Sequence, residues 1–388
     1  MSDKIPSITE LLSTLVSCPS VNPGERLHWE SPYGEARLAQ VLQDLLRPWA
    51  DSIEIDEVVP GRPNLRALFR GRADGPKRAL EAHLDTVDID GMSIEPFEPE
   101  LKAGRLYGRG SADTKGPMTA MLLALIRAKA KGIKLNGDWT FIATCDEELG
   151  ARGARFLIEQ GFCCDGIIVA EPTELELIDA HKGVERYRVE ITGKAAHSAY
   201  PELGLNAISA LADFIGRLEA MSFPSTSRPD DDTLGPITMS VGVISGGDQV
   251  NRVPQTAHAE IDFRIPPGAP ETAIGELLAQ AAHSTRQSRP GIEIRWEQTQ
   301  HYPALHPQPD SAFSETLWQL AKEHLNARKF SRVRYATNAG FYSAAGIPSI
   351  VFGPGSISEA HTAAESIEID AIEQAASFLE KLITVPAH

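Results

Sequence analysis

Three acidic residues stand side by side directly after the apolar run WTFIA, at Asp146, Glu147 and Glu148 of the segment TCDEELGARG. Like charges this close raise one another's pKa and repel. A solvated turn is the simplest setting for them, and a bound cation is the alternative. The other acids and the histidines of the chain must decide between these two settings.

Further polar residues follow short apolar runs elsewhere in the chain. They are His83 and Asp85 in EAHLD, Asp113 in GRGSADTKG, Glu171 in IIVAEP and His361 in SEAHTAAE. In an extended chain His83 and Asp85 share a face, so the carboxylate can orient the imidazole ring for a metal. Each residue alone also has a simpler interpretation: a structural pair at 83 and 85, a helix N-cap at 113, an exposed strand end at 171 and a loop histidine at 361.

As a set, these side chains have the composition of a metal centre. Two imidazoles and three carboxylates suit zinc, with cobalt or manganese as substitutes, and the five ligands would be His83, Asp113, Glu148, Glu171 and His361. Three carboxylates and a bridging hydroxide would cancel the charge of two divalent ions. Successive residues of an extended chain point to opposite sides, so Glu148 could bind a metal while Glu147 reaches the water that the metal polarises. The sequence therefore predicts a centre with two metal ions.

The apolar runs that carry these residues are typical of strands in an α/β sheet. RALEAHLD, DWTFIATC and DGIIVAEP are short, with a helix predicted at 116–130 between the first two and another at 154–160 between the last two. Helices are also predicted at 8–16 and 36–49, followed by a strand at 52–58. Ligands of such sheets collect beyond the carboxyl ends of the strands, which is where the polar residues fall.

A different alternation begins at about residue 183. The order strand, helix, strand, strand, helix, strand predicts a small antiparallel sheet with two helices on one face, a ferredoxin-like α+β domain. The α/β pattern resumes after about residue 302, with helices at 311–325 and 369–383 and a strand at 349–352. We therefore predict a catalytic domain with a mixed sheet flanked by helices, formed by residues 1–182 and 299–388, and an inserted domain at 183–298. The segment 222–236 is predicted to be an exposed loop.

Length and composition limit the possible functions. A chain of 388 residues with 42% hydrophobic residues can fill two cores, and its formal net charge of -16 argues against binding nucleic acid or an anionic membrane. The N-terminal segment lacks the basic and continuous apolar regions of a secretory signal, and no run of about 18 apolar residues occurs. The cysteines show no spacing typical of a disulfide framework. We expect a soluble, cytoplasmic protein that acts on small molecules.

Longer segments of the chain together resemble a known family. The segments are EAHLDTVD, LYGRGSADTKGPMTAM, TCDEELGARGA, AEPTELELIDAHKG, GKAAHSAYPELGLNAI, GGDQVNRVPQTAHAEIDFR and GIPSIVFGPGSISEAHTAAE. In them the chain resembles the di-zinc co-catalytic amidohydrolases and peptidases, a family that includes acetylornithine deacetylase, succinyl-diaminopimelate desuccinylase, aminoacylase and carboxypeptidase G. The resemblance covers nearly the whole chain and keeps the family's order.

This resemblance implies a role for each polar residue. It implies that two zinc ions are each held by a pair of ligands and share a bridge: His83 with Glu171, Glu148 with His361, and Asp113 between them. Asp85 would orient His83 from behind. Glu147 would be the general base that takes a proton from the bridging water and delivers it to the leaving amine. The implied reaction is hydrolysis of an amide bond.

The inserted domain resembles the family's lid, through which its members usually form homodimers. His197 in GKAAHSAYP would reach the partner subunit's site and stabilise the tetrahedral oxyanion, and a cap at a strand-to-helix turn is the alternative. Asn251 and Arg264 match positions associated with the substrate's polar groups and carboxylate, and a structural role is the alternative for both. Gly353 and Gly355 in FGPGS would let backbone N–H groups approach the substrate.

Local likeness narrows the substrate. Within the family, AHKG after EPT and GPGSI before His361 resemble acetylornithine deacetylase most, whereas Asn338 stands where family members usually carry an acid that could recognise a cationic substrate group. We therefore expect a deacylase of N-acyl amino acids, with N-acetylornithine as the first substrate to try. A dipeptidase or carboxypeptidase, and a succinyl-diaminopimelate desuccinylase-like enzyme, are alternatives with the same chemistry. A non-catalytic binding protein for amino-acid derivatives is an alternative of another class, and Glu147 argues against it.

Overall fold

The elements of the fold are those of an α/β protein interrupted by an α+β segment. The computed structural model describes residues 5–24, 26, 30–223, 233–325 and 327–384. Its helices are α1 (Ile8–Val16), α2 (Ala36–Leu46), α3 (Gly116–Ala130), α4 (Arg152–Glu159), α5 (Ala207–Glu219), α6 (Ala273–Ser288), α7 (Ala312–His324), α8 (Ala339–Ala344) and α9 (Ile369–Thr384). Most of the loop predicted at 222–236 falls at 224–232, outside the described residues.

The strands are short in the first half of the chain and longer in the middle. They are β1 (Ser52–Val59), β2 (Arg62–Phe69), β3 (Lys77–His83), β4 (Glu100–Lys102), β5 (Arg105–Tyr107), β6 (Asp138–Thr144), β7 (Gly166–Val169), β8 (Ile178–His181), β9 (Gly183–Thr192), β10 (Ala196–His197), β11 (Thr238–Gly246), β12 (Arg252–Val253), β13 (Thr256–Ile265), β14 (Glu293–Tyr302), β15 (Ser331–Val333), β16 (Ser349–Val351) and β17 (Ser366–Glu368). The chain divides into two compact units, one formed by 1–180, 307–332 and 337–388 and the other by 181–306 and 333–336. The domain boundaries at 183 and 298 stay predictions.

A mixed eight-stranded sheet runs through the first unit in the order β1-β2-β6-β3-β7-β16-β8-β15. β3 runs parallel to both β6 and β7, and β16 runs parallel to β7, whereas β2 is antiparallel to β1 and β6. β7 is buried along its whole length, as expected for a parallel strand with both faces covered. The predicted fold class, a mixed sheet flanked by helices, is confirmed.

Helix α3 lies in the core of the first unit. It is buried from Gly116 to Ile126, because its sequence GPMTAMLLALI presents apolar or small residues on every side. It packs against α1 and α9. Since α3 begins directly after the turn that carries Asp113, this core packing also determines where that residue lies.

The parallel strands β3, β6 and β7 end at one edge of the sheet. His83 is paired with Thr144, and Glu81 with Val169, so the three strands end close to the same level. The segments that follow them, at 84–86, 145–151 and 170–173, therefore leave the sheet side by side. Polar residues in these segments are brought together although they are far apart in sequence.

The second unit contains an antiparallel sheet in the order β11-β13-β9-β14, with α5 packed against the sheet and α6 against α5. On β13 every second residue is buried, namely Ala257, Ala259, Ile261 and Phe263. This alternation directs one face of the sheet into the unit's core. The edge strand β11 is exposed over its last five residues.

Neither a membrane span nor a disulfide occurs in the part of the chain that the structure describes. No described helix combines the length and the apolar character needed to cross a bilayer. Cys18 and Cys145 are buried thiols, Cys163 is exposed and Cys164 is half-buried. The two buried thiols pack as small apolar side chains.

Candidate metal centre

Carboxylates and imidazoles form two groups where the loops after β3, β6 and β7 meet. The possible ligand atoms lie within 4.8 Å of one another in each group, and the groups are His83, Glu147 and Glu171, and His83, Asp113 and Glu148. His361 joins the second group by contacts with Asp113 and Glu148. The structure thus brings together the five residues predicted as ligands and the residue predicted as the base.

Asp113 lies between the two histidines. Its Oδ1 is 3.0 Å from His83 Nε2, and its Oδ2 is 3.2 Å from His361 Nε2. Asp113 belongs to a π-turn at Ser111–Lys115, and Lys115 is the N-cap of α3. The interpretation of Asp113 as the helix N-cap is therefore wrong. Each oxygen of this carboxylate faces a different imidazole, which is the arrangement of a bridging ligand.

A backbone carbonyl orients the His83 ring. His83 Nδ1 donates to the carbonyl oxygen of Asp85 at 2.9 Å, whereas Asp85 Oδ1 is 3.6 Å away. A proton on Nδ1 leaves Nε2 as the nitrogen that can bind a metal. We expected the Asp85 carboxylate to orient the ring, but its main chain makes the shorter contact because the carboxylate binds elsewhere.

The Asp85 carboxylate holds the turn that carries the two glutamates. It accepts the N–H groups of Glu147 at 3.0 Å and Glu148 at 3.1 Å, and it accepts Asn22 Nδ2 at 2.6 Å. Residues 147–150 form a turn, so the extended geometry expected for this pair is wrong. The turn still directs the side chains of Glu147 and Glu148 to different places, as shown by their membership of different groups of possible ligands.

Asp146 turns away from these neighbours into a cluster that we did not predict. It has a φ of 66° and is fully buried. Its oxygens contact Arg62 Nη1 at 2.9 Å and Arg152 Nε at 2.6 Å, and Arg62 also binds the buried Glu35. The sequence gives no strong signal for this cluster, because Arg62 is the first residue of a strand, β2, that its local pattern does not indicate.

Glu171 is 4% exposed, so its interpretation as an exposed strand end is wrong. Its backbone lies tightly against Gly353, where a Cβ would meet the carbonyl oxygen of Glu171 at 2.5 Å.

The N–H of Gly353 donates to Thr173 Oγ1 at 3.0 Å and is therefore engaged within the protein. Gly355 has a φ of 92°, a conformation that favours glycine.

Burial and crowding control the proton affinity of the centre. Burial raises the pKa of Glu147 and Glu171 well above the usual range, and the nearby Asp113 raises both further. Hydrogen bonds to Asp113 and Glu148 raise the pKa of His361 to about 10. Burial opposes ionisation of Asp113, but hydrogen bonds from both histidines hold its pKa well below the usual range.

This donor set fits divalent cations. A tetrahedral zinc ion with bonds of about 2.0–2.1 Å separates neighbouring ligand atoms by roughly 3.3 Å. The contacts of the two imidazoles with Asp113 are 3.0 and 3.2 Å, and that of His361 with Glu148 is 3.3 Å. Among the described residues, the cationic groups with the largest effect on the pKa of these acids are the imidazoles of His83 and His361. The acids outnumber these imidazoles, so the centre has an excess of buried negative charge. Bound metal ions would supply the positive charge.

Three predicted site residues lie in the second unit. His197 is exposed, and its Nδ1 accepts the N–H of Ala199 at 3.1 Å. Asn251 is exposed as well. Arg264 Nε donates to Asp262 Oδ1 at 2.7 Å, on the same strand. The roles of these three residues in substrate binding stay predictions.

Asn338 lies in the core of the first unit. It is fully buried, and its Nδ2 donates to Glu81 Oε1 at 3.0 Å and to Thr144 Oγ1 at 3.2 Å. An acid at position 338 would place a second carboxylate at hydrogen-bond distance from Glu81, whereas the amide donates to it. Because Asn338 is fully buried, it has no exposed surface for a substrate to contact, and its amide donates to Glu81 instead.

Known sequences are similar to this chain over most of its length. Residues 79–385 match the model of peptidase family M20/M25/M40. An acetylornithine deacetylase from Myxococcus xanthus is 30% identical over 390 residues, which cover 99% of this chain and 98% of the relative. Another from Proteus mirabilis (strain HI4320) is 32% identical over 392 residues, which cover 99% of this chain and 97% of the relative.

Solved structures share the fold over nearly the whole chain. A tripeptidase from Staphylococcus aureus has a TM-score of 0.79 at 21% identity, covering 99% of this chain and 98% of its own. A dinuclear metal-binding peptidase of the M20 family from Bacillus subtilis has a TM-score of 0.71 at 18% identity, covering 97% of this chain and 96% of its own. The chain therefore belongs to peptidase family M20/M25/M40 and is a metal-dependent amidohydrolase.

Proposed function

We propose that the protein hydrolyses the amide bond of N-acyl amino acids at a centre of two zinc ions, with N-acetylornithine as the first substrate to test. One observation carries the proposal: the two oxygens of Asp113 face two imidazoles inside a buried group of glutamates. The likeness to acetylornithine deacetylases over nearly the whole chain supports an acyl amino acid as substrate. The fold shared with a dinuclear metal-binding peptidase supports two ions.

The ligands divide between the two ions around Asp113. His83 and Glu171 would hold one ion, and their grouping within 4.8 Å supports this pair. Glu148 and His361 would hold the other, and their 3.3 Å contact supports that pair. Cobalt or manganese would fit the same mixture of nitrogen and oxygen ligands.

Glu147 is the general base of this proposal. Zinc ions bound here would polarise the scissile carbonyl and lower the pKa of a water molecule. Glu147 takes the proton from that water and passes it to the leaving amine. Burial raises the pKa of Glu147, and the positive charge of bound metal ions would lower it again, which would let the carboxylate accept the proton. Asp85 positions this base through the hydrogen bond to its N–H.

The second unit offers cations for the carboxylate of an acyl amino acid. Lys182 is 1% exposed and donates to the carbonyl of Pro236. Burial lowers the pKa of Lys182, and the nearby charges of Arg334 and Arg264 lower it further. Lys182 is therefore part of the positive surroundings of Arg264, whose partly exposed guanidinium could bind the carboxylate in a bidentate manner.

His197 is suited to donate a hydrogen bond to an oxyanion. Because its Nδ1 accepts a backbone N–H, the proton of the neutral ring lies on Nε2. We infer that this proton reaches the site of a partner subunit in a homodimer. The exposed edge strand β11 supports such a dimer, since Val243 and Ile244 are 45% and 58% exposed and an edge strand is open to pairing.

A hydrolysis screen tests the proposed reaction. The zinc-loaded and the metal-stripped protein would be compared on N-acetyl, N-succinyl and N-formyl amino acids, with N-acetylornithine first, and on dipeptides. We expect cleavage of N-acetyl amino acids by the loaded protein only. Faster cleavage of dipeptides would favour the peptidase alternative. A fully loaded protein that cleaves none of these compounds would contradict the proposal.

Subunit mixing tests the proposed role of His197. Glu147→Gln and His197→Ala are each expected to be inactive as separate preparations. Dissociation and reassociation of the mixture should restore activity, because a mixed dimer contains one site with both wild-type residues. Mixed dimers that form and remain inactive would contradict action across the interface.

A further inference from the structure

A buried carboxylate outside the predicted ligand set holds the loop of Asp113. This residue, Glu365, is fully buried. Its Oε1 accepts the N–H groups of Ala112 at 2.9 Å and Asp113 at 3.0 Å. Its Oε2 accepts the N–H of Gly110 at 3.0 Å and Arg109 Nη1 at 2.7 Å. One side chain thus satisfies three of the four backbone donors at 110–113, all but that of Ser111, and binds a buried guanidinium.

The main chain around Glu365 is joined to the same region. The N–H of Gly108 donates to the carbonyl of Glu365 at 3.0 Å, and β17, which begins at the next residue, pairs antiparallel with β5. His361 lies four positions before Glu365 on this segment. The segments that carry Asp113 and His361 are therefore tied together at Glu365, and the two side chains meet at 3.2 Å.

We propose that Glu365 is a positioning residue of the metal centre. Glu365 sets the spacing between Asp113 and His361 and thereby the affinity for the second metal ion, the one that Glu148 and His361 would hold. This inference rests on the proposed dinuclear centre. A carboxylate suits the task because both of its oxygens only accept, so it can receive all four donors at once. The bridging ligand is affected directly, because its own N–H is one of those donors.

The alternative is that Glu365 only stabilises the loop. A buried acceptor that satisfies backbone N–H groups contributes to folding wherever it lies. Such a role predicts a lower melting temperature for a Glu365 variant, with unchanged metal affinity in the protein that remains folded. Metal affinity measured ion by ion therefore separates the two roles, whereas activity alone does not.

Glu365→Gln tests the proposal with little change in size. Its amide nitrogen donates where an acceptor is needed, so one pair of donors loses its partner. The matched control is Glu368→Gln on the same segment, because Glu368 is 63% exposed. Metal-stripped wild type, variant and control would be titrated with zinc against a chromophoric chelator, and melting temperatures would be recorded in parallel.

We expect wild type and control to bind two zinc ions. Glu365→Gln should keep the first ion and bind the second about 10–100-fold more weakly, as when a residue supporting a metal ligand is lost. Its turnover should recover with excess zinc. If Glu365→Gln fails to fold, Glu365→Asp keeps the charge beside Arg109 and should show a smaller weakening of the second ion.

Two wild-type dissociation constants in a folded Glu365 variant would overturn the positioning role, whatever its melting temperature. A wild-type protein that binds fewer than two ions would instead overturn the proposed dinuclear centre. The two failures are therefore distinguishable.

Discussion

Two groups of buried acids lie side by side in the first unit, and their charge is neutralised in different ways. In one, the arginine cluster, Glu35 and Asp146 contact Arg62 and Arg152. In the other, the metal centre, the acids contact imidazoles. The boundary between the groups runs through one stretch of chain, because Asp146 belongs to the first while the next two residues belong to the second.

The sign of the neighbouring charges is what differs. Burial raises the pKa of Glu35 to about 7, and Arg62 opposes that rise through hydrogen bonds and its charge. Burial also raises the pKa of Glu147 and Glu171; His83 opposes that rise, but several neighbouring acids raise the pKa of both further. The arginine cluster is therefore complete within the polypeptide, whereas the metal centre needs cations from outside it.

One amide joins the two groups. Asn22 Nδ2 donates to Asp85 Oδ2 at 2.6 Å and to Asp146 Oδ1 at 3.0 Å. Asp85 in turn holds the turn that carries the metal-centre glutamates. The arginine cluster thus supports, through Asn22 and Asp85, the turn that carries the glutamates of the metal centre.

The largest effect is expected from Glu147→Gln, which alters the metal centre without altering its predicted ligands. Turnover should fall by about 10²–10⁴-fold, because an amide cannot accept the proton from water. Zinc content, measured by elemental analysis, should equal that of wild type. Glu159→Gln, at an exposed position, is the control and should be fully active. Wild-type turnover in Glu147→Gln would remove the assigned base.

A large loss of stability is expected from Arg62→Met in the arginine cluster. The change leaves Glu35 and Asp146 buried without their guanidinium, and breaking a buried pair costs about 3–5 kcal/mol. Arg66→Met on the same strand is the control, since Arg66 is 32% exposed and pairs with the exposed Glu54 and the half-buried Asp56. Ion pairs that are open to solvent contribute about 0–1 kcal/mol. Urea unfolding of the metal-stripped proteins measures both. Equal losses in the two variants would disprove the comparison.

A smaller, graded effect of pH is expected on zinc binding at the metal centre. The pKa of His361 is raised from its usual value of 6.5 to about 10 in the metal-free protein, so zinc must displace a proton at neutral pH. The stability that protonated His361 contributes is fully present below about pH 6.5 and is lost as pH rises toward about 10. Each displaced proton changes metal affinity by about tenfold per pH unit.

Thermal unfolding with and without zinc measures this effect. The increase in melting temperature on adding zinc should be larger at pH 8.5 than at pH 6.5, because metal binding strengthens while the protonated metal-free site loses stability. An increase that is the same at both pH values would contradict the proton competition inferred from His361.

Long regular elements were predictable from the chain alone. Helices α1 and α3 have the bounds expected from their apolar patterns, at Ile8–Val16 and Gly116–Ala130. Strand β2 and helix α8 were not predicted. β2 contains two arginines and a proline, and α8 contains Gly340 and is only six residues long, so neither has a local pattern strong enough to indicate its structure.

The ligand types at the metal centre were predictable because each follows an apolar strand or lies in a distinctive motif. The residues that position these ligands were not predictable. Asp85 was expected to orient His83 with its carboxylate, which instead binds the turn at Glu147. Glu365 carried no signal of its own, because its partners are backbone N–H groups that any sequence possesses.

The amino-acid sequence by itself determined the kinds of atoms available to the site, two imidazoles and an excess of carboxylates, and the strands whose ends carry them. It did so because side-chain chemistry and hydrophobic periodicity are local properties. Only the tertiary structure decided which acid meets a guanidinium and which meets an imidazole. Those partners come from segments as far apart as Arg62 and Asp146, or Asp113 and His361, and pairing over such distances depends on how the sheet and its loops pack.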